Sequence, residues 1–333
     1  MQLAAPDGDV ALVDPLTVSD LAPLGPLFGN TTIALVVHAG GNDLAELKSR
    51  YRFVFTSVFD TSIAARFLGV RELGLDALLL LFLGVTLPPS RQRDDWSARP
   101  LSPAQEAYAA ADVEHLFPLK ARLIEALHER RRLAWVEEEC QALAAQPAPD
   151  RTADPDAFLG VRGARDLPPR PLGILRELYE TRDRLARSTD RPPFKIVSDQ
   201  ILFAIATAAP ADPVALERVP GATPRMVERW GRPLLDAVAR GDRLSEQDLP
   251  RLERRSRPPG SAMAKRNAEK LRAWRAAAAA REALDPGVLL PNRLIGAIAD
   301  AGPRTVEALA AIDGVRRWRA ETFGPDLLAT LGS

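Results

Sequence analysis

The sequence predicts an α/β layer followed by two all-α units. Three observations carry that expectation. Short β-branched apolar runs alternate with helical periods as far as Phe59. Beyond Pro155 strand signals nearly vanish and helical segments are punctuated by Pro and Gly. The rear half also repeats itself at one constant offset of 93 residues without a gap.

In chain order, Met1-Gln2-Leu3, Val10 to Val13 and Thr32 to Val37 read as strands, and Leu16 to Phe28 reads as helical. Asp43 to Arg50 is a helix and Phe53 to Phe59 a further strand. Asp60 is placed to cap a helix from Thr61 to Leu68. Ala77 to Leu87, the most apolar stretch, has about half the length that crossing a bilayer needs, so it reads as a buried helix. Ser102, Pro103 and Gln105 form a capping box that starts another helix. Ala144 to Pro155 is rich in Ala, Pro and Asp, as a linker would be.

The repeat pairs Leu178 with Leu271, Arg182 with Arg275, Ile201 with Leu294, Ile205 with Ile298, Leu216 with Leu309 and Trp230 with Phe323. It also pairs Gly221 with Gly314 and Gly231 with Gly324, both read as helix C-caps, where a positive φ suits Gly. Each copy is too long for a solenoid unit, so two similar helical domains are expected. Trp230, Trp274, Trp318 and Phe323, at helical spacings, read as core.

One cysteine, Cys140, excludes an internal disulfide and a Cys-rich zinc site and suits a reducing compartment. The first residues carry no basic, apolar export pattern. A cytoplasmic protein without membrane spans is expected. The zero net charge divides unevenly: residues 1–150 hold 13 basic and 20 acidic side chains, the remainder 31 and 24. Arg251 to Arg275 alone has nine basic residues against two acidic ones. An acidic front suits a site that gathers cations, and a basic rear segment suits phosphate; a charged, solvated surface is the plainer reading.

Two local patterns bear chemistry. In Val36-Val37-His38-Ala39-Gly40-Gly41-Asn42-Asp43-Leu44 a strand passes through a Gly turn into a helix, with Asp43 in its first turn. An acid there also simply complements the helix dipole, and His38 alone reads as a structural hydrogen-bonder. Tyr108 and Asp112 lie one turn apart on one helical face, with alanines between them that keep the surface slim.

The segments VVHAGGNDL, FDTSIAARFLG, DDWSARPL and YAAADVEHLFPL, in this order, resemble the ribonuclease D family, exonucleases with four catalytic acids and a tyrosine in the third motif. The rear units resemble its tandem HRDC domains, as in FKIVSDQIL. The resemblance spans essentially the whole chain. It implies a ribonuclease H-like exonuclease domain, truncated at its N-terminus, over residues 1–143, a linker at 144–156, and HRDC domains at 157–242 and 243–333. It further implies 3′→5′ hydrolysis of single-stranded RNA ends, tRNA precursors among them, by a two-metal centre of Mg²⁺ or Mn²⁺ in a monomer. Asp43 and Asp112 would then be metal ligands and Tyr108 would position the attacking water. Arg91, Arg93 and Arg99 around Trp96 either touch RNA phosphates or anchor the loop. Arg254, Arg255, Arg257, Lys265 and Arg266 form the rear basic cluster, whereas Arg130-Arg131-Arg132 reads as a solvated helix end.

The family's first motif, Asp-x-Glu, has no match: Asp7-Gly8-Asp9 lacks the Glu and follows the wrong strand. Two of four expected ligands are present, so the chain alone is expected to be inactive. A central strand missing from the sheet would orphan backbone groups at about 1–3 kcal/mol each, against a domain stability of about 5–15 kcal/mol. The natural protein is therefore expected to be longer, and an in-frame stop upstream before any Asp-x-Glu would reject this. The alternative is a non-catalytic nucleic-acid-binding protein acting through its HRDC domains.

Overall fold

In the computed structural model, which describes residues 1–18, 20–148, 154–250 and 262–332, the predicted strands form two separate pairs. β1 (Gln2–Ala4) runs antiparallel to β2 (Val10–Leu12), with Gln2 opposite Leu12. β3 (Leu35–Val37) runs parallel to β4 (Val58–Asp60), with Val37 opposite Asp60. The expected helix at Leu16 to Phe28 shrinks to a 3₁₀ turn at Ala22–Leu24 and one helical turn, α1 (Gly25–Phe28). Pro15, Pro23 and Pro26 remove the amide donors that a longer helix needs.

α2 (Gly41–Tyr51) links β3 to β4. The expected strand at Phe53 to Phe59 is regular only from Val58 onward. Phe53 and Phe55 instead turn into a small core with Phe28, at ring separations of 5.2 and 5.3 Å, together with Leu21 and Leu44. Burial of two rings here wins over strand pairing.

α3 (Thr61–Phe67), α4 (Leu75–Leu83), α5 (Pro103–Glu114), α6 (Leu116–Glu129) and α7 (Leu133–Ala145) follow. The Ala77 to Leu87 segment is only half-buried. Leu78 and Leu79 are fully enclosed, Leu80 and Leu81 face solvent, and the helix ends at Gly84 with φ 69°. The Ser102–Gln105 capping box forms as the sequence predicts.

The rear half is two five-helix modules. The first comprises α8 (Pro169–Ser188), α9 (Pro193–Ile196), α10 (Asp199–Ala208), α11 (Pro213–Glu217) and α12 (Pro224–Asp242). The second comprises α13 (Ala262–Glu282), α14 (Pro286–Leu289), α15 (Asn292–Ala301), α16 (Val306–Ala310) and α17 (Arg317–Gly332). From the second helix onward each start recurs 93 positions later. Gly221 and Gly314 take matching φ values of 88° and 81° in the turns that need them. Gly231 and Gly324 are not caps. They lie inside α12 and α17, where an added Cβ would come 3.1 Å from Val227 and 3.2 Å from Val306 respectively. Crowding by valine side chains, not a turn, favours Gly at both. Arg182 pairs with Asp199, and its counterpart Arg275 bonds Asn292 at 2.8 Å.

The chain divides into two compact units, Met1–Pro149 with Pro258–Ser333, and Asp150–Arg257. The second module therefore shares a unit, and a hydrophobic core, with the front domain. Trp135 of α7 stacks on Trp318 of α17 at 4.7 Å, and Phe67 meets Trp318 edge-on at 5.3 Å. Arg132 is buried rather than solvated: it donates to the Phe67 carbonyl at 2.9 Å and to the Glu282 carbonyl at 2.7 Å. Arg130 likewise bonds the Leu68 carbonyl. Unpaired carbonyls at the ends of α3 and α13 draw these guanidiniums inward. Trp318 and Phe323 are buried and Trp230 and Trp274 partly so. Among the described residues no helix is long and apolar enough to cross a membrane.

Candidate active site

The turn that carries Asp43 is built around Asp60. The Asp60 carboxylate, 2% exposed, caps α3 by accepting from the Ser62 and Ile63 amides and from the Ser62 hydroxyl. It also accepts from the amides of Ala39 at 3.1 Å and Gly40 at 2.9 Å. Ala39 holds φ 50°, a left-handed conformation that costs a non-glycine residue about 1–2 kcal/mol. Two charge-assisted bonds offset that strain. Gly40 is required sterically, because a Cβ there would fall 2.7 Å from Val37 Cγ2. His38 Nδ1 lies 2.9 Å from Thr61 Oγ1, and burial holds the imidazole below its usual pKa, against the pull of Asp60. Asp60 and His38 thus fasten β3 to β4.

Asp43 sits in the first turn of α2. An acid that merely complemented the helix dipole would be held down. Instead burial, and then the charge of Asp60, push the Asp43 carboxyl above its ordinary value. On α5, burial likewise raises Asp112. Tyr108, one turn earlier, lies 6.2 Å from the Trp96 ring. Among the described residues neither Asp43 nor Asp112 forms an ion pair. Asp112 is half-buried and Asp43 is exposed.

The two acids nevertheless belong to different substructures. α5 packs on the β1–β2 pair, and α2 follows β3 of the other pair. Neither carboxylate enters the causes of the other's shift. Among the described residues no group of three His, Cys, Asp or Glu side chains is placed to hold a metal ion. Two carboxylates fall short of the donor set that a pair of divalent ions requires. The residues present do not by themselves fit that centre.

In the loop before α5, Arg99 clasps Asp14 through two bonds of 2.6 and 2.9 Å and also binds the Trp96 carbonyl. This pushes the Asp14 carboxyl down to about 2. Arg99 is a loop anchor, which the sequence left open. Arg91 pairs with Asp94, and Arg93 is exposed without an ion pair among the described residues. Lys265 and Arg266 are exposed on α13, whereas Arg254, Arg255 and Arg257 lie outside the described residues. Sequence reasoning took Asp60 for a cap alone and missed its second set of bonds. The small residues Ala39 and Gly40 opposite it were the available signal.

A strand–turn–helix acid, a Tyr–Asp helix face and twin helical modules mark the class as an α/β domain with appended helical domains. Residues 1–128 match the 3′-5′ exonuclease family, and 172–238 and 264–331 each match the HRDC domain. The chain is 35% identical to ribonuclease D of Acidiphilium cryptum, across 97% of this chain and 81% of that protein. It is 33% identical to ribonuclease D of Gluconacetobacter diazotrophicus, across 99% and 82%. Its fold is similar to the crystal structure of Escherichia coli RNase D, an exoribonuclease involved in structured RNA processing, with a TM-score of 0.74 and 26% identity over 99% of this chain and 87% of that one. A Bifidobacterium adolescentis protein shares the fold at a TM-score of 0.76 and 21% identity, over 97% and 85% of the two chains. The chain belongs to the ribonuclease D family of 3′-5′ exoribonucleases, hydrolases whose exonuclease domain is of a two-metal type.

Proposed function

We infer that this protein trims single-stranded RNA 3′ ends, tRNA precursors among them, as a cytoplasmic monomer. By the family pattern Asp43 and Asp112 would be two of the ligands of a Mg²⁺ or Mn²⁺ centre that this chain's residues leave incomplete, and Tyr108 would orient water beside it. The observation that supports this is that both carboxyls, at the positions the family pattern assigns, are raised above their ordinary pKa and form no ion pair among the described residues. Such groups hold a proton more readily than usual, so cation binding weakens as pH falls toward their raised pKa values. The work of this chain's residues is to position: Asp60 fixes the turn under Asp43, and the capping box fixes the helix face bearing Tyr108 and Asp112.

Because the 333 residues offer two ligands where the family pattern has four, this chain alone releases no nucleotide. The shortage of ligands also favours a second reading, a nucleic-acid-binding protein acting through its HRDC domains. Incubating 3′-labelled single-stranded RNA with Mg²⁺ or Mn²⁺ separates them. Mononucleotide release lost in Asp112→Asn would refute the predicted inactivity while supporting the nuclease. For a chain extended by an Asp-x-Glu strand, release is expected, and RNA binding without release would establish the second reading.

A further inference from the structure

The two helical modules share an architecture but differ at one corner. In each, the long first helix is followed by a residue in the left-handed region: Asp190, φ 48°, after α8, and Ala283, φ 51°, after α13. In the second module this corner is an interface. Arg132 donates to Glu282 there, Gly69 leaves room for the Ala283 carbonyl, and Leu284 is buried. Among its positions, Leu284 is buried, Val288 half-buried, and Ala277, Ala280 and Gly287 are exposed but carry no charge.

The first module carries Arg184, Arg187, Arg191, Phe194 and Lys195 at these five positions, and all five are exposed. Phe194 leaves 65% of its surface in solvent, and the Lys195 ammonium lies 5.7 Å from its ring centroid. The Arg191 amide bonds back to the Ala186 carbonyl at 2.9 Å. That bond folds Arg191 and the start of α9 against the end of α8, where Arg187 occupies the last turn. Arg184 donates to Thr181, while Arg187, Arg191 and Lys195 form no ion pair among the described residues. From 184 to 195 four basic side chains stand against a single acid, Asp190. An exposed aromatic ring with Lys195 beside it, on a corner that also carries Arg187 and Arg191, suits a flexible polyanion that carries flat bases.

We propose that this corner of the first module binds single-stranded RNA, with Phe194 stacking on a base and Arg187, Arg191 and Lys195 meeting phosphates. The choice of RNA rests on the exoribonuclease reading. The binding itself does not require an assembled catalytic centre. Fluorescence anisotropy of a labelled single-stranded oligoribonucleotide with the full chain, in EDTA so that cleavage plays no part, tests it. Phe194→Ala should weaken binding roughly tenfold and Phe194→Trp should preserve it. The double variant Arg191→Ala/Lys195→Ala should flatten the log–log salt slope by about 1.4, from ~0.7 per phosphate. Arg225→Ala, exposed on the same module away from this corner, should bind as the parent does, and the EDTA keeps the result separate from the catalytic assignment. Unchanged affinity in Phe194→Ala, or an unchanged salt slope in the double variant, would overturn the proposal.

Discussion

At the start of its last helix the second module carries Trp318, 3% exposed and stacked on Trp135 of the front domain. Ninety-three positions earlier the first module carries Arg225, in solvent. The caps of these helices differ in the same way. Thr223 caps α12 from within its own module, accepting from the Met226 amide at 3.2 Å. For α17 the cap comes from α7: the Glu138 carboxylate accepts from the Arg317 and Trp318 amides at 2.6 and 2.9 Å. Glu139 beside it receives the Trp318 indole and the guanidiniums of Arg316 and Arg319. Conserving core positions reproduces an architecture, and changing a handful of surface positions decides whether a copy stands alone or becomes part of its neighbour.

That contrast can be broken by measurement. The largest effect expected is for Trp318→Ala, which empties the shared aromatic core and should cost the unit containing the front domain about 3–5 kcal/mol in urea unfolding. Arg225→Ala should stay within about 0.5 kcal/mol, and equal costs would erase the distinction. Glu138→Ala orphans two amides and should cost about 1–2 kcal/mol. Hydrogen exchange should register that loss in α17 and α7, whereas Thr223→Ala should cost about 1 kcal/mol and loosen only the first module. Gly221→Ala and Gly314→Ala probe what the copies retain in common, each at about 1 kcal/mol from a positive φ.

The smallest effect contrasts the acidic site with the rest. A raised carboxyl pKa means that folding penalises the charged form; the penalty applies at pH above the raised pKa and vanishes below the unfolded one. In EDTA at neutral pH, Asp43→Asn or Asp112→Asn should therefore raise the melting temperature of their unit by up to ~2 °C, after allowance for solvent screening. The gain should fade as the buffer is taken down through the carboxylate range, and melting of the first module should not move.

The repeat was legible in the sequence because its register lies in core residues such as Leu216 and Leu309, whose spacing survives in the chain itself. The placement of Asp43, Tyr108 and Asp112 on helices was legible as well, since turn and capping signals mark where α2 and α5 begin. What sequence reasoning could not foresee depends on distant partners. The fate of Phe53 and Phe55 was set by Phe28, and the burial of Arg132 by Glu282, a residue 150 positions away. Gly231 and Gly324 looked like turn glycines because side-chain crowding inside a helix leaves the same residue in the sequence.

The bonds from Asp60 to Ala39 and Gly40 have one more consequence. Exposed amides at a helix start ordinarily attract phosphate. Here an internal carboxylate already occupies the amides of Ala39 and Gly40, just ahead of α2, and offsets part of the helix's positive end. An RNA backbone arriving at Asp43 meets a negative field, and only what is brought in with it, or supplied by cationic side chains elsewhere, can draw it close.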